Sequence, residues 1–356
     1  MYRSKFSLFI VVFVLLSLTV KAQSNSSIDE TLARLSQIAA QKYIEPAVTP
    51  FGSNLNSGWV NMLPDPELIG FNLRIKFVGM GTFINDLPTT FTTTGAFNFT
   101  SSQADDILSN YSSNPNYAQI KQAFLAQSWN VTFNGPTIFG KDTDYLHILF
   151  PGGTVTVNNQ PVTIASKTET LPDVKGLLNN LSIFPTACPQ VTVGTLFGTQ
   201  VSVRYLPSMQ INDKLGKFQF FGIGILHNLS TWFSFPVDLG VGYFKQQLKI
   251  GDILETNASQ IGFYISKKIG STLAIIPYAG YTIETSTTKI TYNFTYNTYI
   301  GGTSQTVQSN INFEMDGQNK NAWLVGATIK LAFLELNVDY KKADYNTASA
   351  GLTLAF

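Results

Sequence analysis

Few residues of this chain have types and spacings suited to chemistry. His147 and His227 are its only histidines, and they stand far apart, without the spacing of a zinc or di-metal site. His227-Asn228-Leu229-Ser230 sets a general base near a hydroxyl nucleophile, the pair that would cleave a membrane-lipid ester. Residues three apart in a strand point to opposite faces, however, so the run reads better as a turn. Neither a Gly-x-Ser-x-Gly elbow nor a phosphate loop is present. The chain is therefore expected to hold no metal and no cofactor, and to have no catalytic residue. The chemistry that remains is electrostatic. Arg74, Lys76, Arg204, Asp238, Glu284, Lys330, Asp339 and Lys341 each alternate with apolar neighbours. Side chains so placed would line an interior. They would either set the selectivity of a pore or cavity or pair across it and stiffen the wall.

The elements that must position them are strands. Over 69–84, Phe71, Leu73, Ile75 and Phe77 fall on one face and Asn72, Arg74 and Lys76 on the other. From 189 onward the same period of two recurs in eight segments: 191–205, 215–227, 233–250, 256–268, 271–288, 320–333, 335–342 and 346–356. In water this pattern means a half-buried strand; in a membrane barrel it means lipid outside and lumen inside. These segments, 69–84 and at least one partner make ten strands the floor. About twelve is the central expectation, with a range of 10–14 and even numbers preferred. The stretch 289–317, rich in Tyr, Thr and Asn, reads as a protruding hairpin. Short turns at 227–232 and 267–271 against that long one place both termini at the short-turn, periplasmic side. Trp232, Phe233, Tyr243, Tyr281, Trp323 and Tyr340 are candidates for the interfacial aromatic girdles.

Composition agrees. Charged residues are 13% and aromatics 13% of the chain, with a net charge of +1. The low charge and many aromatics argue against disorder, and the absence of a basic excess argues against nucleic acid as a partner. Arg3 and Lys5 precede an apolar run, Phe6 to Val20, that ends in Val20-Lys21-Ala22. This is the pattern of a secretory signal peptide cleaved near Ala22. Cys188 is the only cysteine, so no disulfide forms within the chain. A helix is expected over 27–45, with Ser27 and Glu30 as a capping box and Pro46 as its end. It would cap the barrel, plug its mouth or simply pack against it. Residues 85–188 show strands near 89–100, 129–134, 145–150 and 154–165 and a helix at 116–128. They read as a mixture of wall strands and long loops. The domain reading is 1–22 signal peptide, 23–68 N-terminal helix and periplasmic or plug segment, and 69–356 barrel.

Gly351-Leu352-Thr353-Leu354-Ala355-Phe356 is an alternating strand ending on an aromatic residue. Leu352, Leu354 and Phe356 resemble the C-terminal sorting signal of bacterial outer-membrane proteins. Phe235 to Tyr243 and Trp323 to Phe333 are similar to a family of uncharacterised porin-like barrels of Gram-negative bacteria and, more distantly, to the long-chain fatty acid transporters. The Asn-Pro-Ala signature of those transporters is absent; Asn54-Leu55-Asn56-Ser57-Gly58 stands in the comparable region. The resemblance implies an all-β protein: a transmembrane antiparallel β-barrel with an N-terminal helix, located in the bacterial outer membrane. Its partners would be outer-membrane lipid, the barrel-assembly machinery and an unidentified small solute. The expected function is passive or facilitated passage of small solutes, hydrophobic ones included. The alternative is a non-transporting structural barrel or a subunit of a surface assembly.

Overall fold

The computed structural model describes residues 35–179, 181–212, 216–300 and 303–356. The signal peptide and the capping box at Ser27 lie outside the described residues. A helix, α1 (Gln37–Leu55), comes first, followed by strand β1 (Ile69–Phe83). A lobe is inserted next: β2 (Thr90–Phe97), α2 (Ser101–Ile107), α3 (Tyr117–Leu125), β3 (Trp129–Pro136), β4 (Leu146–Phe150), β5 (Gly153–Val157), β6 (Gln160–Ile164) and β7 (Lys167–Leu171). The remaining strands are β8 (Ile183–Leu196), β9 (Thr199–Asn212), β10 (Gly216–Asn228), β11 (Asp238–Ile250), β12 (Leu254–Ser266), the short β13 (Ile269–Gly270), β14 (Leu273–Ile300), β15 (Thr303–Asp316), β16 (Asn321–Leu331), β17 (Leu334–Lys342) and β18 (Thr347–Ala355).

Antiparallel pairing runs β1-β8-β9-β10-β11-β12-β14-β16-β17-β18 and returns to β1, closing a barrel of ten strands. β13 and β15 pair only with β14 and stand outside the ring. Closure removes every open edge of the wall. The closing seam extends past β18, because Phe356 N–H donates to Leu73 O at 2.8 Å and Leu73 N–H to Phe356 O at 3.0 Å. Phe221, Ile223, Ile225, Ile261, Phe263, Ile265, Leu336 and Val338 face outward and are exposed. The alternate residues of the same strands face inward and many are polar and buried. This inside-out arrangement, apolar belt outside and polar interior within, is that of a membrane barrel.

Ten lies at the lower end of the expected range, two below the central figure. The single strand read at 191–205 is a hairpin, β8–β9, turning at Phe197 (φ 49°) and Gly198 (φ 65°), and supplies the tenth strand. The count stops there because the described residues of 85–182 supply no wall strand; they fold as the lobe, with a four-stranded sheet β2-β3-β4-β7 and a separate hairpin β5–β6. Thr100 and Gln103 form the capping box that starts α2. The core of the lobe is aromatic: Phe97, Phe99, Phe124, Phe133 and Phe150 are buried against one another, with ring centroids 5.0–6.0 Å apart.

Helix α1 also departs from expectation. Pro46 does not end it; the helix continues through Pro46 and Pro50 to Leu55. Proline inside a helix removes a backbone hydrogen bond and normally breaks it. Here every residue from 46 to 64 is buried, so packing from all sides outweighs local propensity. The two ends of the barrel differ. One carries the connections 197–198, 229–237 and 332–333 together with Phe356; the other carries the lobe, the long β14–β15 hairpin and the short connections 251–253 and 343–346. Leu35, the first described residue, lies at the lobe end, where Tyr292 Oη donates to its carbonyl at 3.0 Å. Thus the described chain starts at the end opposite Phe356, not at the same end.

Candidate functional site: a lumen filled by the N-terminal segment

From the lobe, α1 descends into the lumen, and residues 56–66 continue to the short-turn end, where β1 begins. The helix leaves its last carbonyls without intrahelical partners, and beyond it the chain has no ladder of its own. A buried carbonyl must find a donor, and the wall supplies donors one after another. Lys341 Nζ donates to Ser53 O at 3.2 Å and Asn56 O at 3.3 Å. Arg204 Nη1 donates to Ser57 O at 3.0 Å, and Lys76 Nζ to Gly58 O at 2.9 Å. Gln190 Nε2 reaches Trp59 O at 3.4 Å, Thr328 Oγ1 reaches Asn61 O at 2.5 Å, and Asn228 Nδ2 reaches Pro64 O at 2.7 Å. Three buried cations therefore meet the C-terminal end of α1, the negative pole of its dipole.

The charged side chains read from the sequence sort into groups. Lys341 also pairs with Glu284, its Nζ 3.0 Å from Oε1, and both are buried. Arg74 and Lys330 flank Glu335 at 3.6 and 3.4 Å, charge contacts that lack hydrogen-bond geometry. Among the described residues, Arg204 has no carboxylate as a hydrogen-bond partner; its Nε donates to Gln190 Oε1 at 2.9 Å and its guanidinium lies 3.8 Å over the Trp59 ring, a cation–π contact. Asp339 accepts from Ser349 Oγ at 2.6 Å and Tyr278 Oη at 3.1 Å. Asp238 stands apart at the short-turn rim, 3.2 Å from Asn228 Nδ2. Leu352 and Leu354 lie on the outward face of β18, half-buried, and Phe356 is exposed at its end.

Side-chain packing completes the fill. Trp59, Val60 and Leu63 form an apolar cluster with Leu226, Phe244, Tyr264, Tyr278 and Leu324 inside the barrel. The wall glycines make room for it: a Cβ at Gly240 would stand 2.4 Å from Leu63 Cδ2. Gly58, at φ +67°, turns the chain just below the helix, in backbone territory that side chains disfavour. The cavity that remains beside Trp59 has a volume of about 10 Å³, roughly room for one water. Along β17 the polar pairing is incomplete. Both amide atoms of Asn337, and Asp339 Oδ1, are buried without a hydrogen-bond partner.

Sequence reasoning offered 23–68 as a periplasmic or plug segment but did not place its residues along the lumen, and it missed Gln190, Asn228 and Glu335 among the wall residues that face it. Glu335 shares the inward parity of Asp339 and Lys341, so alternation alone would have found it. The His227–Ser230 pair forms no dyad. His227 Nδ1 is 2.9 Å from Thr199 Oγ1, whereas Ser230 Oγ donates to Val237 O at 3.3 Å. Among the described residues, no three His, Cys, Asp or Glu side chains gather as a metal site.

Fold and interior together define a closed β-barrel of membrane type, plugged by its own N-terminal segment. The chain belongs to a family of unknown function (DUF6588), whose model matches residues 1–356. No curated protein matches the sequence. Among solved structures it is similar to OmpT of Vibrio cholerae, with 8% identity over 81% of this chain and 99% of that one, at a TM-score of 0.23. It is also similar to the transport unit of the autotransporter AIDA-I from Escherichia coli, with 12% identity over 87% and 98% and a TM-score of 0.23. A third is OccK3 of Pseudomonas aeruginosa, with 8% identity over 81% and 96% and a TM-score of 0.19. The barrel assignment rests on the strand pairings themselves, and the fatty acid transporter likeness gains no support from these matches.

Proposed function

We propose that this chain is an exported bacterial outer-membrane barrel whose N-terminal segment is a gate. Small solutes, hydrophobic ones included, pass when that segment leaves the lumen. In this reading the signal peptide is removed near Ala22, lipid surrounds the apolar belt, and the barrel-assembly machinery reads Leu352, Leu354 and Phe356. The charged residues Arg74, Lys76, Arg204, Asp238, Glu284, Lys330, Asp339 and Lys341 would then line the open path.

One observation carries the proposal. The wall holds the lower half of the segment mainly through polar bonds to backbone carbonyls, which water can replace. Unpaired buried groups such as those of Asn337 each cost roughly 1–3 kcal/mol, and hydration would relieve them on opening. The shared apolar core of α1 and the lobe favours a second reading, a sealed barrel that presents the lobe within a surface assembly.

A tether separates the two. Ser53 Oγ and Thr347 Oγ1 are 2.6 Å apart, so Ser53→Cys with Thr347→Cys should form a disulfide between plug and wall. Uptake of a small sugar into proteoliposomes should stop in the oxidised variant and return on reduction. Uptake that ignores the tether, or no uptake by the unmodified protein, would leave the sealed barrel.

A further inference from the structure

The path of the chain carries a consequence for which side of the membrane each end occupies. α1 is held at the lobe end by Ile138 N–H donating to Tyr43 O at 2.9 Å and by Tyr43 Oη donating to Lys175 O at 2.9 Å. At the other end, Gly198 N–H and Phe197 N–H donate to Glu67 O and Leu68 O, both at 2.9 Å. The segment thus spans the lumen from one end to the other. Short connections and the C-terminal strand end belong to the periplasmic side of such barrels, long insertions to the outer side. The lobe end, and with it Leu35, then faces outward.

The contents of the lumen suit a passing polypeptide. Residues 46–64 contain no charged side chain, so the stretch that rests in the lumen sets no charge of its own beside the buried cations. The grip falls on carbonyls of Ser53, Asn56, Ser57, Gly58, Trp59, Asn61 and Pro64. Carbonyls are common to any peptide.

We propose that the barrel carries its own N-terminal segment across the outer membrane, so that Leu35 stands at the outer surface while Phe356 stands on the periplasmic side. The natural occupant of the lumen is a polypeptide. This inference rests on the outer-membrane location but not on solute passage, and its test reads neither uptake nor conductance.

Cys188 is buried, so a single introduced cysteine reports its own accessibility. Gln37, at the start of α1, and Ser234, in the turn between β10 and β11, are both exposed. Gln37→Cys and Ser234→Cys would be treated with a membrane-impermeant maleimide in intact cells and again after permeabilisation, with heat-modifiable mobility confirming a folded barrel. Gln37→Cys should label fully in intact cells, and Ser234→Cys only after permeabilisation. Should Gln37→Cys fail to fold, the exposed Asn114→Cys in the lobe takes its place. A lobe-end cysteine that labels only after permeabilisation, or a Ser234→Cys that labels in intact cells, overturns the proposal.

Discussion

The two halves of the N-terminal segment are held by different balances of apolar packing and polar bonds. The upper half of α1 sits in the apolar core of the lobe, where Leu35, Ala39, Tyr43, Ile44 and Ala47 share one cluster with Phe97, Phe99 and Phe124. Below Leu55, Trp59, Val60 and Leu63 form a smaller apolar cluster with the wall, and lysine, arginine, glutamine, threonine and asparagine side chains of the wall hold the backbone around it. Apolar packing is dense, and a small volume change within it is felt at once. A polar bond exchanged with water contributes only about 0.5–1.5 kcal/mol net. The segment is therefore held more by apolar packing at the lobe end and more by polar bonds at the other, the asymmetry that the proposed gate would use.

Removing one partner of a buried ion pair should break the lower half most strongly. Glu284→Ala leaves Lys341 without its carboxylate, a change that typically costs about 3–5 kcal/mol. The expected result is a protease-sensitive segment and a conducting lumen, with the wall still folded by heat-modifiable mobility. Phe124→Ala, of similar size at about 3–5 kcal/mol, should loosen the lobe while leaving the lumen closed. Equal effects of the two variants on conductance would erase the distinction between the halves. Lys76→Met removes only the donor to Gly58 O and should weaken seating by about 1–3 kcal/mol, read as a modest rise in proteolysis of the segment.

The smallest effect belongs to the lobe surface. Lys121, and next to it Tyr117, donate to Asp105 at 2.6 Å and hold its carboxyl below the usual aspartate range. A depressed carboxyl stabilises the fold above its unfolded pKa of roughly 3.9. That contribution is lost as pH falls through the folded value. Asp105 is half-exposed at the surface, so the pair contributes roughly 0–1 kcal/mol. Asp105→Asn should flatten the acid limb of lobe unfolding without touching conductance.

How much was legible follows the same division. The wall was legible because a strand's period of two writes inside and outside directly into the sequence; the inward parity of Arg74, Lys76, Asp339 and Lys341 needed nothing more. The turn at Phe197-Gly198 was not, since a two-residue turn with both φ values positive usually announces itself by Asn-Gly or Asp-Gly. The helix was misplaced because Pro46 is a stop signal only when local propensity decides. Buried on all sides, the helix runs on past it. A plug was one of three readings of the N-terminal segment, but its contacts were not legible, because many run through backbone carbonyls, which leave no residue signature. The absence of charge from 46 to 64 was the one signal it offered.

The most direct test is single-channel conductance of the refolded mature chain beside a variant lacking residues 35–66. Long silence from the full chain and steady, reproducible steps from the shortened, folded barrel are the predicted pair. Equal conductance from both, or silence from a shortened barrel that is demonstrably inserted, would contradict the account.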